Sequence, residues 1–270
     1  MTTVFMSYAT PKFEAARDRL CESADRVGFN SSLDLGPSDW ISTEFSNQNA
    51  RVLNAQKGGG YWLWKPYLIR KTLSQLKTGD VLVYSDAGRS SYYRLGRFPH
   101  SLVNKLKANG RGILLGPTTD QHGPLSKWTK RDCLTLLESD TAEILNLPGI
   151  QATWSLWQPT VEAFEFLRLW EKFCSDPRCV SDDENVLGQP NHPDFIAHRH
   201  DQAILTLLAY KYRTPHLNYS DSGVFNWLSL RPQSGLTNMF FKRLEDAERL
   251  EKQAPMVALW AAYRSLKKAS

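Results

Sequence analysis

The chain of 270 residues has no apolar run near the roughly 20 residues that a membrane-spanning helix requires. Its first ten residues, MTTVFMSYAT, lack a basic segment followed by a long apolar stretch, so no secretory signal is expected. Cysteine is scarce. The four thiols, Cys21, Cys133, Cys174 and Cys179, form no CxxC pair, and no Cys/His set completes a zinc pattern. They read as reduced thiols of a cytosolic protein. Internal repeats, low-complexity tracts and long linkers are also missing, which argues for one large α/β domain with at most a small appendage.

Aromatic residues are plentiful, nine of them Trp, and the net charge is +5 with a pI near 9.0. The mild basic excess favours an anionic partner such as a nucleotide diphosphate, a nucleic acid or an acidic membrane surface. Part of it sits in residues 241–270. There Met256, Val257, Trp260, Tyr263 and Leu266 fall near helical spacing beside Arg264, Lys267 and Lys268. This pattern fits a basic helical tail, either laid on an anionic membrane or packed on the domain formed by residues 1–240.

Along the chain, strand and helix patterns alternate. Residues 3–7, 29–35, 81–84, 113–115 and 150–157 read as strands. Residues 12–27, 43–56, 66–76, 98–109, 129–138, 160–173 and 200–212 read as helices. Alternation of this kind predicts a mainly parallel, Rossmann-like sheet flanked by helices. Ligands of such sheets bind beyond the carboxyl ends of the strands. Residues 181–193, rich in Asp, Asn, Gly and Pro, read as a long polar loop of the kind that often serves as a lid.

Four segments carry candidate chemistry. Ser85-Asp86-Ala87-Gly88 follows an apolar strand, so a carboxylate is fixed at the strand end and small residues leave room for a diphosphate. Mg²⁺ or Mn²⁺ is often held by one or two carboxylates plus substrate phosphates; the same tetrapeptide also fits an ordinary turn. GGGYWLWKP at 58–66 combines glycines that permit close backbone approach, rings that stack, and the Lys65 cation. A hinge followed by core aromatics fits it equally. HRHDQ at 198–202 opens a helix, where Asp201 suits the positive helix end. WTKRD at 128–132 places Lys130 and Arg131 either toward phosphates or on the surface.

Taken together, GGGYWLWKP, GDVLVYSDAG at 79–88, WTKRD and HRHDQAILTLLAYKY at 198–212 resemble bacterial glycosyltransferase-A-like proteins associated with capsule and lipopolysaccharide loci. The likeness spans roughly residues 50–215. It implies transfer of a sugar from a nucleoside diphosphate, with uridine the favoured base, to a glycan or lipid-linked acceptor hydroxyl in surface polysaccharide synthesis. Asp86 then stands for the DxD motif and holds a divalent ion, although position 88 is Gly rather than Asp. Tyr61, Trp62, Trp64, Lys65, Ser85, Asp86, Ala87, Gly88, Arg89 and His200 are the implied donor-binding residues. Lys65, with Arg89 or Arg94, would neutralise the leaving diphosphate, and Asp201 would act as general base with inversion at the sugar carbon. His198 or His200 would add a metal ligand or phosphate contact, and the 181–193 loop would close over the site. A cytoplasmic enzyme, touching the membrane only peripherally, is expected. The alternatives are a nonenzymatic nucleic-acid or glycan-binding protein, against which stand the small charge excess and the lack of a recognised nucleic-acid motif, and a metal-dependent nucleotidyltransferase or sugar-nucleotide hydrolase.

Overall fold

The computed structural model describes residues 1–88 and 94–218. A six-stranded sheet forms the centre, in the order β2-β1-β3-β5-β4-β6. Its strands are β1 (Thr3–Tyr8), β2 (Ser31–Leu35), β3 (Val81–Ser85), β4 (Ile113–Pro117), β5 (Trp154–Trp157) and β6 (His216–Leu217). β1 pairs in parallel with β2 and β3, and β4 with β6, while β5 runs antiparallel to both β3 and β4. The mainly parallel sheet expected from the alternation is therefore present, with one reversed strand in its middle.

Side-chain alternation explains how the sheet is covered. Val4, Met6 and Tyr8 of β1 face one core, with Leu82 and Tyr84 of β3 and Trp157 of β5. Phe5, Val81, Val83, Trp154 and Leu156 face the other. Such burial on both faces is what a parallel sheet demands. On the second face lie the helices Glu14–Val27 and His100–Ala108. The first face is covered by the helices Trp64–Leu73, Arg131–Leu136, Val161–Cys174 and His200–Lys211. The 14–27 helix ends at Gly28, whose φ of 103° supplies a left-handed cap. The 161–174 helix starts at Thr160, whose hydroxyl accepts the Ala163 N–H. All four cysteines are buried and free.

Two expected elements differ markedly in extent. Residues 43–56 do not form one helix but two short ones, Glu44–Gln48 and Ala50–Leu53. The strand expected over 150–157 is regular only over Trp154–Trp157: the Thr153 carbonyl still accepts the Asp86 N–H beside β3, but the Ala152 carbonyl turns to Lys65, and on the β4 side pairing resumes only as an isolated Thr118–Ile150 bridge out of register. The 181–193 loop contains no helix or strand and is tied down. Val186 and Leu187 donate their N–H groups to the buried Asp132 carboxylate, and Asn185 and Asn191 cap the first turn of the 131–136 helix. Among the described residues no helix is long and apolar enough to cross a membrane. The expected helical tail at 241–270 lies outside the described residues.

Candidate functional site

β1 and β3 are neighbours, yet the chain leaves β1 for β2 on one side and later enters β3 on the other. The strand order thus reverses between them, which opens a crevice at their carboxyl ends. Asp86 stands there, one residue past β3, with its N–H held by the Thr153 carbonyl at 2.8 Å. Opposite it the chain turns out of β1 through residues 8–13.

The third wall is a left-handed turn. Gly58, Gly59, Gly60, Tyr61 and Trp62 have successive φ values of 62°, 59°, 96°, 49° and 60°. L-residues pay roughly 1–2 kcal/mol each for this backbone, so three glycines in a row make the turn feasible and Tyr61 and Trp62 complete it under strain. Gly60 is irreplaceable on space as well, since a Cβ there would stand 2.6 Å from Leu53 Cα. The turn delivers the chain into the 64–73 helix with Trp64 and Lys65 in its first turn. Trp64 stacks on Tyr8 with ring centroids 3.7 Å apart and donates its indole N–H to the Gly58 carbonyl at 2.9 Å.

Lys65 points inward, beneath the crevice. Its side chain is only 2% exposed, and Nζ lies 2.9 Å from Asp201 Oδ2, 3.3 Å from Asp86 Oδ1 and 3.2 Å from the Ala152 carbonyl. The Tyr84 hydroxyl also donates to Asp86 Oδ1. Burial opposes the Lys65 charge, but Asp201 and Asp86 outweigh it and hold its pKa above the ordinary lysine value. Burial raises Asp201 to about 6, partly offset by Lys65 and reinforced by Asp86. Burial and the Asp86 charge push the Tyr84 hydroxyl well up. One cation thus ties together the end of β3, the start of the 200–211 helix and the segment entering β5. Asp86 is the member that reaches the crevice, with its side chain 27% exposed.

The crevice holds about 580 Å³, within the range of small-molecule sites. Tyr8, Phe13, Trp62 and Trp64 supply rings, Lys12 and Lys57 supply positive charge, and Asp86, Ala87, Gly88, Gly58 and Gly59 supply close-approach backbone around one carboxylate. Of the residues expected to bind a donor, Trp62, Trp64, Asp86, Ala87 and Gly88 line it. Ser85 is buried behind Asp86, and Tyr61 lies against His200 at 5.1 Å. Arg89 is outside the described residues, and Arg94 is not part of the lining.

Several placements correct the expectations. Lys65 does not present its ammonium to the crevice, because the inward face of the 64–73 helix sets it among two carboxylates and a carbonyl; Lys12 and Lys57 are the lysines that line it. Asp201, with a side chain 6% exposed and engaged by Lys65, sits where it can orient Lys65 rather than meet an acceptor directly. His198 is buried, donating Nε2–H to the Cys179 carbonyl and accepting the Lys130 N–H at Nδ1. Both ring nitrogens are occupied, and burial lowers its pKa to about 3, so it offers neither a metal ligand nor a phosphate contact. His200 is buried too, 3.0 Å from Asp182. Lys130 is buried and Arg131 pairs with Asp140. The residues the sequence did not single out are Tyr8, Lys12, Phe13 and Lys57. Lys57 adjoins the triple glycine and was within reach of a motif reading; the 8–13 turn carries no local signal.

Among the described residues, no group of three or more His, Cys, Asp or Glu side chains forms a metal cage. Asp86 is the only carboxylate among the described residues lining the crevice, and Tyr84 and Lys65 already engage its Oδ1. This donor set fits an ion shared with a ligand's phosphates, not one enclosed by protein.

The sequence matches no protein-family model and no curated protein. Among solved structures, it is similar to the apo form of the bifunctional glycosyltransferase WbbM, at 11% identity and a TM-score of 0.47. That similarity covers 82% of this chain and 39% of WbbM, so the chain spans well under half of that protein's length. A second similar structure is a glycosyltransferase involved in glycosylation of the major capsid of PBCV-1, at 8% identity and a TM-score of 0.36, covering 81% of this chain and 82% of that one.

Proposed function

We propose that the protein is a glycosyltransferase that takes a nucleoside diphosphate sugar, with uridine as the base, and moves the sugar to a glycan hydroxyl. The observation that carries this reading is the crevice at the strand-order reversal. It joins one partly exposed carboxylate, two lysines and four aromatic rings, over a volume suited to a sugar nucleotide. The rings offer stacking surfaces for base and sugar. Lys12 and Lys57 meet the diphosphate, whose negative charge grows as it leaves. Lys65 and Asp201 position Asp86 from below, and burial keeps that support dry. Asp86 would hold a divalent ion, which when bound supplies further neutralisation of the leaving diphosphate. The acceptor in this reading is a free or lipid-linked glycan of bacterial surface polysaccharide synthesis, and the intended membrane contact is the tail beyond residue 240.

The test is thermal unfolding with UDP, GDP, CDP and their sugar conjugates, with and without Mn²⁺. A ligand that binds only the folded state raises its apparent stability by mass action. A shift with a uridine nucleotide, lost in Asp86→Ala, is the expected result. The absence of any shift in folded protein would overturn the donor site. Product analysis then separates transferred sugar from free sugar or transferred nucleotide, the outcomes that would replace a transferase with a hydrolase or a nucleotidyltransferase.

A further inference from the structure

The 181–193 loop sends one residue, Asp182, toward the crevice. Its two carboxylate oxygens meet different partners. Oδ2 accepts from Lys57 Nζ at 2.7 Å, and Oδ1 lies 3.0 Å from His200 Nε2. Lys57 lines the crevice and is the residue immediately before the left-handed turn. His200 opens the 200–211 helix directly before Asp201, the partner of Lys65. The His200 ring lies nearly parallel to Tyr61 at 5.1 Å and tilted against Trp62 at 5.5 Å.

Backbone strain converges on the same contact. Tyr61, Trp62 and His200 all have positive φ, at 49°, 60° and 48°. Non-glycine residues keep such conformations only where their surroundings over-determine them, and such places cluster at functional sites. Here the determining contacts are the ring stack and the carboxylate beneath it. His200 has a side chain only 5% exposed, so its ring cannot turn freely to find another acceptor.

We infer that Asp182 is a positioning residue for ligand binding, holding the Lys57 ammonium at the crevice wall and, through His200, the ring of Trp62. The inference rests on the crevice being a nucleoside diphosphate site. It makes an electrostatic prediction opposite to that of a bystander. A carboxylate near a diphosphate site repels the ligand, so removing a bystander's charge would tighten binding. Removing a positioning residue weakens it.

The experiment uses the full chain, calorimetric titration with UDP and Mn²⁺, and the variants Asp182→Asn, Asp182→Glu and Lys57→Ala. Asp182→Asn is expected to weaken UDP binding up to about fivefold, the scale of an ion pair whose side chains are about half exposed. Asp182→Glu should recover most of that loss. Lys57→Ala should cost much less in the Asp182→Asn background than alone, because the two act as a unit. UDP binding to Asp182→Asn that equals or exceeds the parent's would overturn the inference.

A second measurement does not need the ligand. The indole N–H resonance of Trp62, assigned through Trp62→Phe, should move in Asp182→Asn while that of the core residue Trp157, bonded to Ser155 in β5, stays in place. If the parent protein binds no UDP, the proposed function fails, and the role of Asp182 in UDP binding fails with it; if the parent does bind UDP, an unmoved Trp62 signal overturns the part of the inference that runs through His200 to Trp62.

Discussion

Lys65 is a buried cation between two carboxylates, and its energetics follow from that count. Breaking a buried pair by removing one partner typically costs about 3–5 kcal/mol, because the remaining charge loses its compensation. Lys65→Met leaves Asp201 and Asp86 facing each other without the ammonium. Asp201, already raised to about 6 by burial, can relieve this by taking a proton at modest acidity. The variant should therefore lose about 3–5 kcal/mol at pH 7.5 and distinctly less at pH 5, read from urea unfolding at both values. An equal loss at the two pH values would show that Asp201 is not the group left stranded.

At the scale of the element, the left-handed turn over 58–62 is the part of the site whose local sequence requirement is sharpest. At Gly60 the backbone has φ 96° and a Cβ would collide with Leu53 Cα at 2.6 Å. Since backbone rather than a flexible side-chain tip stands in the way, the turn itself must shift. Gly60→Ala should cost at least about 2 kcal/mol from the left-handed backbone and the collision together, measured by denaturant unfolding. Gly58 differs: its added Cβ would meet the Trp62 ring at 2.4 Å, so substitution there displaces the crevice wall. The 181–193 loop shows the opposite economy. Its polar composition suggests freedom, yet Asp132 and two asparagines bind it to the 131–136 helix.

For the whole molecule, two buried groups act on stability in one pH range with opposite signs. Burial lowers His198 from 6.5 to about 3. The unfolded chain therefore binds the extra proton in that window, and the fold loses stability as pH falls through it. Burial raises Asp201 from 3.8 to about 6. There the folded state binds the extra proton, so its contribution to stability falls as pH rises from 3.8 to about 6 and is constant above. His198→Gln should make the protein less sensitive to acid than the parent between pH 6.5 and 4, in melting temperatures recorded across that range. An unchanged acid slope would mean that His198 is not the group being protonated.

The alternation of apolar runs and helical stripes was enough to establish a helix-flanked, mainly parallel sheet, because burial on both faces of a parallel strand writes itself into consecutive residues such as Val81–Tyr84. The strand-end carboxylate Asp86 and the glycine-aromatic wall were legible for the same reason: each is a local pattern with a local cause. The reversed direction of β5 was not, since an antiparallel strand in the middle of a sheet is as apolar as its parallel neighbours. Nor could the sequence show that Lys65 turns inward to Asp201, 136 positions away, leaving Lys12 and Lys57 at the crevice, or that Asp182 joins Lys57 to His200. Those are long-range pairings of charges, decided only when packing fixes which side chains lose their water and must find one another.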